Sequence, residues 1–588
     1  MPSIAPVDLS PQQFQWPPEG VTRAPYRLFT DHEIYQLEQQ RIFRGRSWSF
    51  LGLEVEIPNP GDCKTTSVGE TPVIVTRDME RSIHAMVNRC AHKGALVCLK
   101  RRDNVANLAC VYHAWNYELD GRLKSVAFRN GVRGQGGMPT DFDISRHRLQ
   151  PLKVQIFCGM IFGTFAEDME DVETYLGPDM SGFIKRNLGR PLRILGTHSQ
   201  TIHNNWKLYA ENLRDSYHAT LLHTFYTTFK VNRLDMDGGI LLSKHKWHHV
   251  SFARRAELAE ASEYKDANVH SASYDSALEG PGLLQAWEEF DDGITHSIQT
   301  VFPNMCVQFT LNSLAIRFFA PRSVDKTELF WIYLGYISDT EEQSQMRIMQ
   351  SNLTGAAGLV SLEDGCINEF VQRGTRRSAK LVVHGNGRPQ GRVREELACD
   401  GIGRSRLLAG LPRHHGVLTM AAKTRKIASI RVEAPTSDMV AELIADYAHT
   451  LDDGRIDLWP NFFTETALYH VTTRENHDQQ LPIGIIRCAG RGMMADRVKA
   501  FHTANIFEPH SYNHLVGPVR IGASRSPGAV AARCNFQIVR TMEDGRMDLF
   551  ATGRHFDEIV LEDGVARFSE RVVVLDSRNV DILMVVPL

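Results

Sequence analysis

Much of what usually betrays a function is missing from this chain of 588 residues. It has no excess of either charge: 66 Lys and Arg face 69 Asp and Glu, for a net charge of −3. A general binder of nucleic acid or another polyanion would carry a basic surplus. No run approaches the roughly 18 apolar residues of a membrane-spanning helix. The N-terminus, MPSIAPVDLSPQQFQWPPEG, has no basic stretch followed by an apolar one, so no secretory signal is expected. Internal repeats are absent. No G-x-G-x-x-G opens a strand–helix–strand unit and no plant-type cysteine run is found, so neither a dinucleotide-binding fold nor a plant-type ferredoxin is expected in this chain. The ten cysteines are scattered and suggest no disulfide framework. A reducing cytoplasm is the expected location, and metal ligation the better use of paired cysteines there.

The composition that remains, 43% hydrophobic and 23% charged, is that of an ordinary globular protein. Its length exceeds one core, so about two to four domains are expected. Residues 1–47 read as a Pro-rich arm followed by a helix, opened by a capping box at Thr30-Asp31-His32-Glu33 and running to about Phe43. Residues 48–165 read as short strands separated by turns, among them 71–76 and the Asp120-Gly121 turn. Residues 166–384 mix the two, with a helix near 206–223 and a strand over 329–334. Residues 385–424 form a linker, and 425–588 a further α+β unit. In that unit Met439, Val440, Leu443, Ile444, Tyr447 and Leu451 form an apolar helical stripe, capped by Thr436 or Ser437 and ended by Gly454. Strands are expected over 571–575 and 582–586.

The strongest motif is Cys90-x-His92, seventeen residues, then Cys110-x-x-His113. Each arm offers one thiolate and one imidazole, and the interval suits a strand out and a strand back. Two such loop tips facing each other can give one iron two sulfurs and the other two nitrogens, the ligand set of a Rieske [2Fe–2S] centre. A Cys2His2 zinc site is the competing reading, although zinc sites usually pair like ligands. Other cysteines, such as Cys98 and Cys158, read as buried small hydrophobes.

A second cluster lies in Glu211-Asn212-Leu213-Arg214-Asp215-Ser216-Tyr217-His218-Ala219-Thr220-Leu221-Leu222-His223. Two histidines and a later carboxylate can form a facial triad on Fe(II) with positions open for dioxygen. A spacing of five places His218 and His223 about 140° apart on a regular helix. Both reach one metal only if the helix ends or widens there; otherwise they are two ordinary helix histidines. The carboxylate candidate is Asp364, in Leu362-Glu363-Asp364-Gly365, where Asp-Gly alone would be a turn.

Taken in order, Cys-x-His…Cys-x-x-His, Glu-Asn-x-x-Asp-x-x-His-x4-His and Glu-Asp-Gly resemble the large subunit of Rieske ring-hydroxylating oxygenases over about residues 25–384. Within that family the chain most resembles hydroxylases of salicylate, anthranilate and related benzoates. Residues 425–588, with Leu451-Asp452-Asp453-Gly454-Arg455 and Phe462-Phe463-Thr464-Glu465, resemble the small subunit, a cone-shaped α+β domain without metal. The resemblance implies an all-β Rieske domain inserted in an α+β helix-grip-like catalytic domain, fused to that cone. It implies that Cys90, His92, Cys110 and His113 bind the cluster, and that His218, His223 and Asp364 hold a mononuclear Fe(II). Asp215 would accept a hydrogen bond from His218 and reach His113 of a neighbouring protomer, so a homotrimer of fused chains is expected. In sequence terms Asp215 and His218 lie three apart on one helix face, and a carboxylate between two metal-bound imidazoles both orients and couples them.

The implied activity uses O2 and electrons from NAD(P)H, delivered by a separate reductase and in some systems a ferredoxin, to hydroxylate a small aromatic carboxylate. Alternatives are cis-dihydroxylation of another aromatic compound, or electron transfer alone, which about 100 residues would serve. Neither a nucleic-acid nor a membrane partner is expected. Residues 384–419, rich in Arg and Gly, resemble neither subunit. Read one base later, codons compatible with Arg406–Gly416 spell G-F-W-Q-A-Y-R-A-I-M-G, and Leu418-Thr419 supply a stop just before Met420. The hypothesis is a frameshift that fused two genes; the alternative is an unusual selected linker. A protease-sensitive tether cut at Arg392, Arg394, Arg404, Arg406 or Arg413 is the corresponding expectation.

Overall fold

A computed structural model describes residues 23–229, 231, 236–254, 277–376, 381–383, 434–524 and 526–588. The 385–419 junction, its suggested frameshift and its arginines lie outside the described residues.

Three sheets organise the chain. Seven strands in the order Ser49–Leu53, Met160–Thr164, Pro151–Phe157, Ile83–Val87, Thr71–Arg77, Asp62–Val68 and Arg102–Asn104 make the first. A short three-stranded sheet, Leu108–Ala109, Asn116–Tyr117 and Leu123–Ser125, stands beside it. The Asp120-Gly121 turn is where expected: Gly121 adopts φ 84°, a left-handed value that a glycine takes without strain.

The central sheet has eight strands, seven of them from 192–336. Its strands Ser313–Ser323 and Lys326–Tyr336 are buried at nearly every position. Alternate residues explain this. Ala315, Phe319, Leu329, Trp331 and Tyr333 join one core, which also takes Val73 and Val75 of the first sheet and Trp206 and Tyr209. Leu314, Ile316, Phe318, Phe330, Ile332 and Leu334 join another, with Met180 and Ile184 of the helix Pro178–Leu188. A sheet covered on both faces shows no polar face along its strands.

The N-terminal helix belongs to this central unit rather than to the first sheet. Trp206 Nε1 donates to Glu38 at 2.9 Å, and Arg23–Pro25 pairs with Leu381–Val383. The first sheet is therefore an insertion between parts of the central unit. Asp31, not Thr30, caps that helix, accepting from the backbone N–H of Glu33 and Ile34. An α-helix runs over His32–Glu38 and a π-turn continues it through Gln39–Phe43. Cys98 and Cys158 are half-buried rather than buried, and Cys98 Sγ lies 3.4 Å from the Lys100 carbonyl.

The third sheet runs Ile486–Ala489, Phe463–Thr473, Val565–Leu575, Met547–Glu562, Ala529–Met542 and His510–Val516. Alternation along Ala529–Met542 leaves one face in the core and one outside. The helix Ser437–Asp452 fills the inside, capped by the Thr436 hydroxyl on the Met439 N–H. Residues 582–586 correct the sequence reading: they form turns, not a strand. Ile582 and Leu583 pack into the central unit's core while Met584 and Leu588 pack into the C-terminal one. An apolar run demands burial, and a plug between two units satisfies that demand without a ladder. Just before it, Asn579–Val580 adds a parallel edge strand to Leu192–Ile202 of the central sheet.

Candidate metal centres

The first site is made of two loops with one hydrogen-bond pattern. Cys90 N–H donates to the Ala95 carbonyl and Gly94 N–H to that of Cys90; Cys110 N–H donates to Trp115 and Ala114 N–H to Cys110. Each loop turns through a left-handed residue at the same place, Gly94 at φ 77° and Ala114 at φ 51°. The pattern buries both sulfurs and turns both imidazoles outward: Cys90 and Cys110 are 4% and 3% exposed, His92 is half-buried and His113 exposed. The two imidazole rings are 4.6 Å apart at 67°, and His92 stacks on the buried Trp115 at 4.9 Å.

Sequence reasoning missed Tyr117. Its hydroxyl lies 3.2 Å from Cys90 Sγ and accepts from the Ala91 N–H at 3.0 Å. Burial pushes the Cys90 thiol up while that hydroxyl favours the thiolate. A buried thiolate needs a counter-charge, which a metal supplies. His92 Nδ1 is buried without a hydrogen-bond partner, a lone pair left for ligation. The four ligands of one zinc would lie within about 4 Å of each other. Among the described residues, the group of three or more potential ligand atoms within 4.8 Å of one another is that of His218, His223 and Asp364. In the Cys/His set two buried sulfurs and two adjacent imidazoles form two unlike pairs, the donor set that a two-iron cluster would use.

That triad is the second site. The expected helix over 206–223 is broken. Trp206–Asn212 is helical, 213–218 are turns, and Ala219–Leu222 is one further turn of helix ended by His223 at ψ 72°. The end of the helix, rather than a π-bulge, lets both rings converge, 5.2 Å apart. Asp364 sits in the first turn of the helix Leu362–Thr375 rather than in an Asp-Gly turn. Paired side chains between the two segments explain why distant parts of the chain meet. Asn205 N–H donates to Gln372 Oε1 at 2.7 Å, and His203 N–H to Glu369 at 2.8 Å.

Asp364 Oδ1 lies 3.2 Å from His223 Nε2 and 3.6 Å from His218 Nε2. It is buried and accepts no hydrogen bond. Two imidazoles and an unsatisfied carboxylate oxygen converging on one point are the donor set of a facial triad, so these residues fit a mononuclear iron. Burial opposes charge on His223, but Asp364 and Glu363 outweigh it and push the ring up to about 10. For Asp364 burial works against ionisation too, and both histidines hold it well below the usual carboxylate range. Metal binding would replace those protons.

Asp215 is not helical, so the shared helix face of the sequence reading does not exist. A turn nevertheless sets its Oδ2 3.4 Å from His218 Nδ1. Its side chain is 48% exposed, and its own contacts are with His218 and Tyr217. His113, also at the surface, packs on Tyr112 and His92. Within the chain, therefore, Asp215 and His113 are not brought together. Sequence reasoning missed two further groups. Arg317, fully buried, donates to the Tyr209 hydroxyl at 2.9 Å and lies 3.9 Å from Asp364. Glu363 Oε2 stands 3.2 Å from His223 Nδ1; the Glu-Asp-Gly motif contained it without assigning it a role.

Three family models match the chain: the Rieske [2Fe-2S] domain over residues 47–134, the catalytic domain of ring hydroxylating alpha subunits over 191–402, and the ring hydroxylating beta subunit over 447–581. The terminal oxygenase component subunit alpha 2 of terephthalate 1,2-dioxygenase from Comamonas sp is 46% identical over 367 residues, 62% of this chain and 89% of that one. The large subunit of anthranilate 1,2-dioxygenase from Burkholderia cepacia is 41% identical, covering 64% and 90%. The large oxygenase component of salicylate 5-hydroxylase from Ralstonia sp is 38% identical, covering 62% and 87%. Naphthalene 1,2-dioxygenase from Rhodococcus sp., bound to indole, superposes with a TM-score of 0.50 at 24% identity, over 60% of this chain and 82% of that one; this likeness speaks to fold alone.

Proposed function

This chain belongs to the Rieske ring-hydroxylating oxygenases, alpha and beta parts in one polypeptide, and from that premise we propose that it hydroxylates the ring of a small aromatic carboxylate. It is a terminal oxygenase whose cofactors are a Rieske [2Fe-2S] cluster and a mononuclear iron. The observation that carries the substrate class is that three relatives, each matched over more than 60% of this chain, are named for terephthalate, anthranilate and salicylate, all aromatic acids. Arg317 supports it: a buried guanidinium beside the triad, with Nε lacking a partner, offers a fixed cation for a carboxylate.

In this reading Cys90, His92, Cys110 and His113 hold the cluster, and His218, His223 and Asp364 the mononuclear iron. When bound, the cluster supplies single electrons and the mononuclear iron a place where dioxygen reacts beside the ring. The residues do the rest. Asp215 orients His218 and, at the surface, receives the exposed His113 of a neighbouring protomer in a homotrimer. Glu363 accepts from His223 Nδ1 and so turns Nε2 toward Asp364. The buried walls around Tyr209, Tyr226 and His296 exclude water from the site. Electrons come from NAD(P)H through a separate reductase, directly or through a ferredoxin.

The test is product identification by mass spectrometry after turnover with a surrogate reductase and labelled O2, over a panel of benzoates and neutral arenes. Hydroxylated benzoates carrying label are expected. Turnover of naphthalene or toluene but of no carboxylate would overturn the substrate class.

A further inference from the structure

The C-terminal unit is built into the mononuclear site. Its helix Arg491–Thr503 points its C-terminal end at the segment carrying His223, and three contacts tie this part of the C-terminal unit to the two segments that carry the triad. Thr224, next to His223, donates its hydroxyl to the Ala504 carbonyl at 2.7 Å. Arg497 donates to the Ala357 carbonyl at 2.5 Å, in the segment that leads to Asp364. Asn505 Nδ2 donates to Glu363 Oε1 at 2.7 Å, and the other Glu363 oxygen faces His223 Nδ1. Apolar packing agrees: Phe225, Phe229, Ala357 and Val360 share one core with Met494 and Ala500 of that helix. Asn505 itself is held in place, since its N–H and that of Ala504 both donate to the Ala500 carbonyl as the helix closes.

We infer that Asn505 is a positioning residue of the mononuclear metal site, reaching it through Glu363 and His223. The inference rests on the triad reading above. A carboxylate that orients a ligating imidazole works only if the carboxylate is itself held; free to rotate, it gives the ring no preferred tautomer or direction. Glu363 is 1% exposed, so no bulk water replaces a lost donor on Oε1. The Asn505 amide is therefore the hold. In this way the beta-like part acts on the iron without contributing a ligand to it.

The test uses the full chain, with the mononuclear iron removed by chelation and the Rieske absorption retained as a check of folding. Anaerobic titration with Co(II) reports affinity, and its visible ligand-field bands report geometry. Asn505→Ala should weaken Co(II) binding by up to about 10-fold, the lower end for loss of a direct partner of a ligand because Asn505 acts one step further out, and shift the bands. Asn505→Asp, which sets a carboxylate against Glu363, should weaken it further. The N505D/E363Q double variant restores the pair with roles exchanged: the new amide donates to the new carboxylate and its carbonyl accepts from His223. It should recover affinity over Asn505→Asp. Packing alone predicts no such recovery. Unchanged affinity and bands in both single variants, or no recovery in the double, would overturn the inference. If wild type takes up no Co(II), or His223→Ala takes it up equally well, it is the triad reading that fails instead.

Discussion

The paired Cys/His loops and the His218–His223–Asp364 triad are assembled in different ways. Cys90, His92, Cys110 and His113 come from two short loops that repeat one backbone hydrogen-bond pattern and lean on one neighbouring hydroxyl, that of Tyr117. His218, His223 and Asp364 come from two segments far apart in the chain, fastened by Asn205–Gln372 and His203–Glu369, and backed by a third segment through Asn505. Local backbone geometry suffices for the first site. The second exists only once the central sheet, two helices and the C-terminal unit have packed. A site of the first kind is insulated from the rest of the molecule; one of the second kind inherits every disturbance around it.

The largest effects should follow from breaking either ligand set, and they should not cross over. Cys110→Ala should abolish the Rieske absorption and electron paramagnetic resonance signal while the triad still takes Co(II). His223→Ala should do the reverse. Both should lose product formation altogether. A chelator should likewise strip the mononuclear iron long before the cluster. Loss of both metals from either single variant, measured by metal and acid-labile sulfide analysis, would show that the sites are not independent.

Asp215 is where the comparison can be sharpened, because it leans on one site and is proposed to serve the other in a neighbouring protomer. Asp215→Ala should leave both metals bound and lower turnover by about 100-fold, the upper range for an outer partner of a ligating histidine. Near-normal turnover would remove the inter-protomer route. Transfer slowed in rapid-mixing experiments, with substrate affinity intact, would place the loss in the electron path rather than in binding.

The same contrast explains what could be read before any fold was known. A motif with its Cys and His two and three residues apart carries its geometry in its own spacing, so the two facing Cys/His loops were legible, as was the Thr436-capped helix from its apolar period. His218 and His223 were legible as residue types but not as a shape. A spacing of five is awkward on a regular helix, and the structure resolves it by ending the helix at His223. Asp364 carried no secondary-structure signal because Asp-Gly serves a turn as readily as a helix start. Asp31 and Thr30 are both good caps, and only the fold decides between them. Residues 582–586 show the limit of an apolar run, which specifies burial but not the form it takes. Asn505 had no signal at all: its partner lies 142 positions away and in another unit.

Within the cluster loops the likeness itself can be tested. Gly94 and Ala114 occupy equivalent left-handed positions, which cost a residue with a Cβ about 1 kcal/mol. A Cβ on Gly94 would meet only the Arg89 side chain at ordinary contact, 3.8 Å. Gly94→Ala should therefore destabilise the loop by about 1 kcal/mol through backbone strain alone, and Ala114→Gly should be close to neutral or slightly stabilising, since the added freedom of the unfolded chain offsets the relief. Thermal loss of the visible cluster spectrum measures both. Equal and opposite large shifts, or a loss of the cluster on Ala114→Gly, would mean that the two loops are not the twins their hydrogen bonds suggest.

The smallest expected effect concerns Tyr117, and it bears on how insulated the first site is. The Tyr117 hydroxyl near Cys90 Sγ at 3.2 Å favours the more negative state of the sulfur, hence the reduced cluster. Tyr117→Phe removes that contact and keeps the packing of the fully buried ring. The Ala91 N–H loses its acceptor as well, a local cost the loop can absorb. A hydrogen bond contributing about 1 kcal/mol corresponds to roughly 45 mV for a one-electron couple. The reduction potential should fall by that order, with the electron paramagnetic resonance line shape nearly unchanged and Co(II) affinity at the triad untouched. Should the potential stay put, Tyr117 is only packing. Should Co(II) binding change as well, the cluster loops speak to the iron site within one chain, and the separation of the two plans would have to be given up.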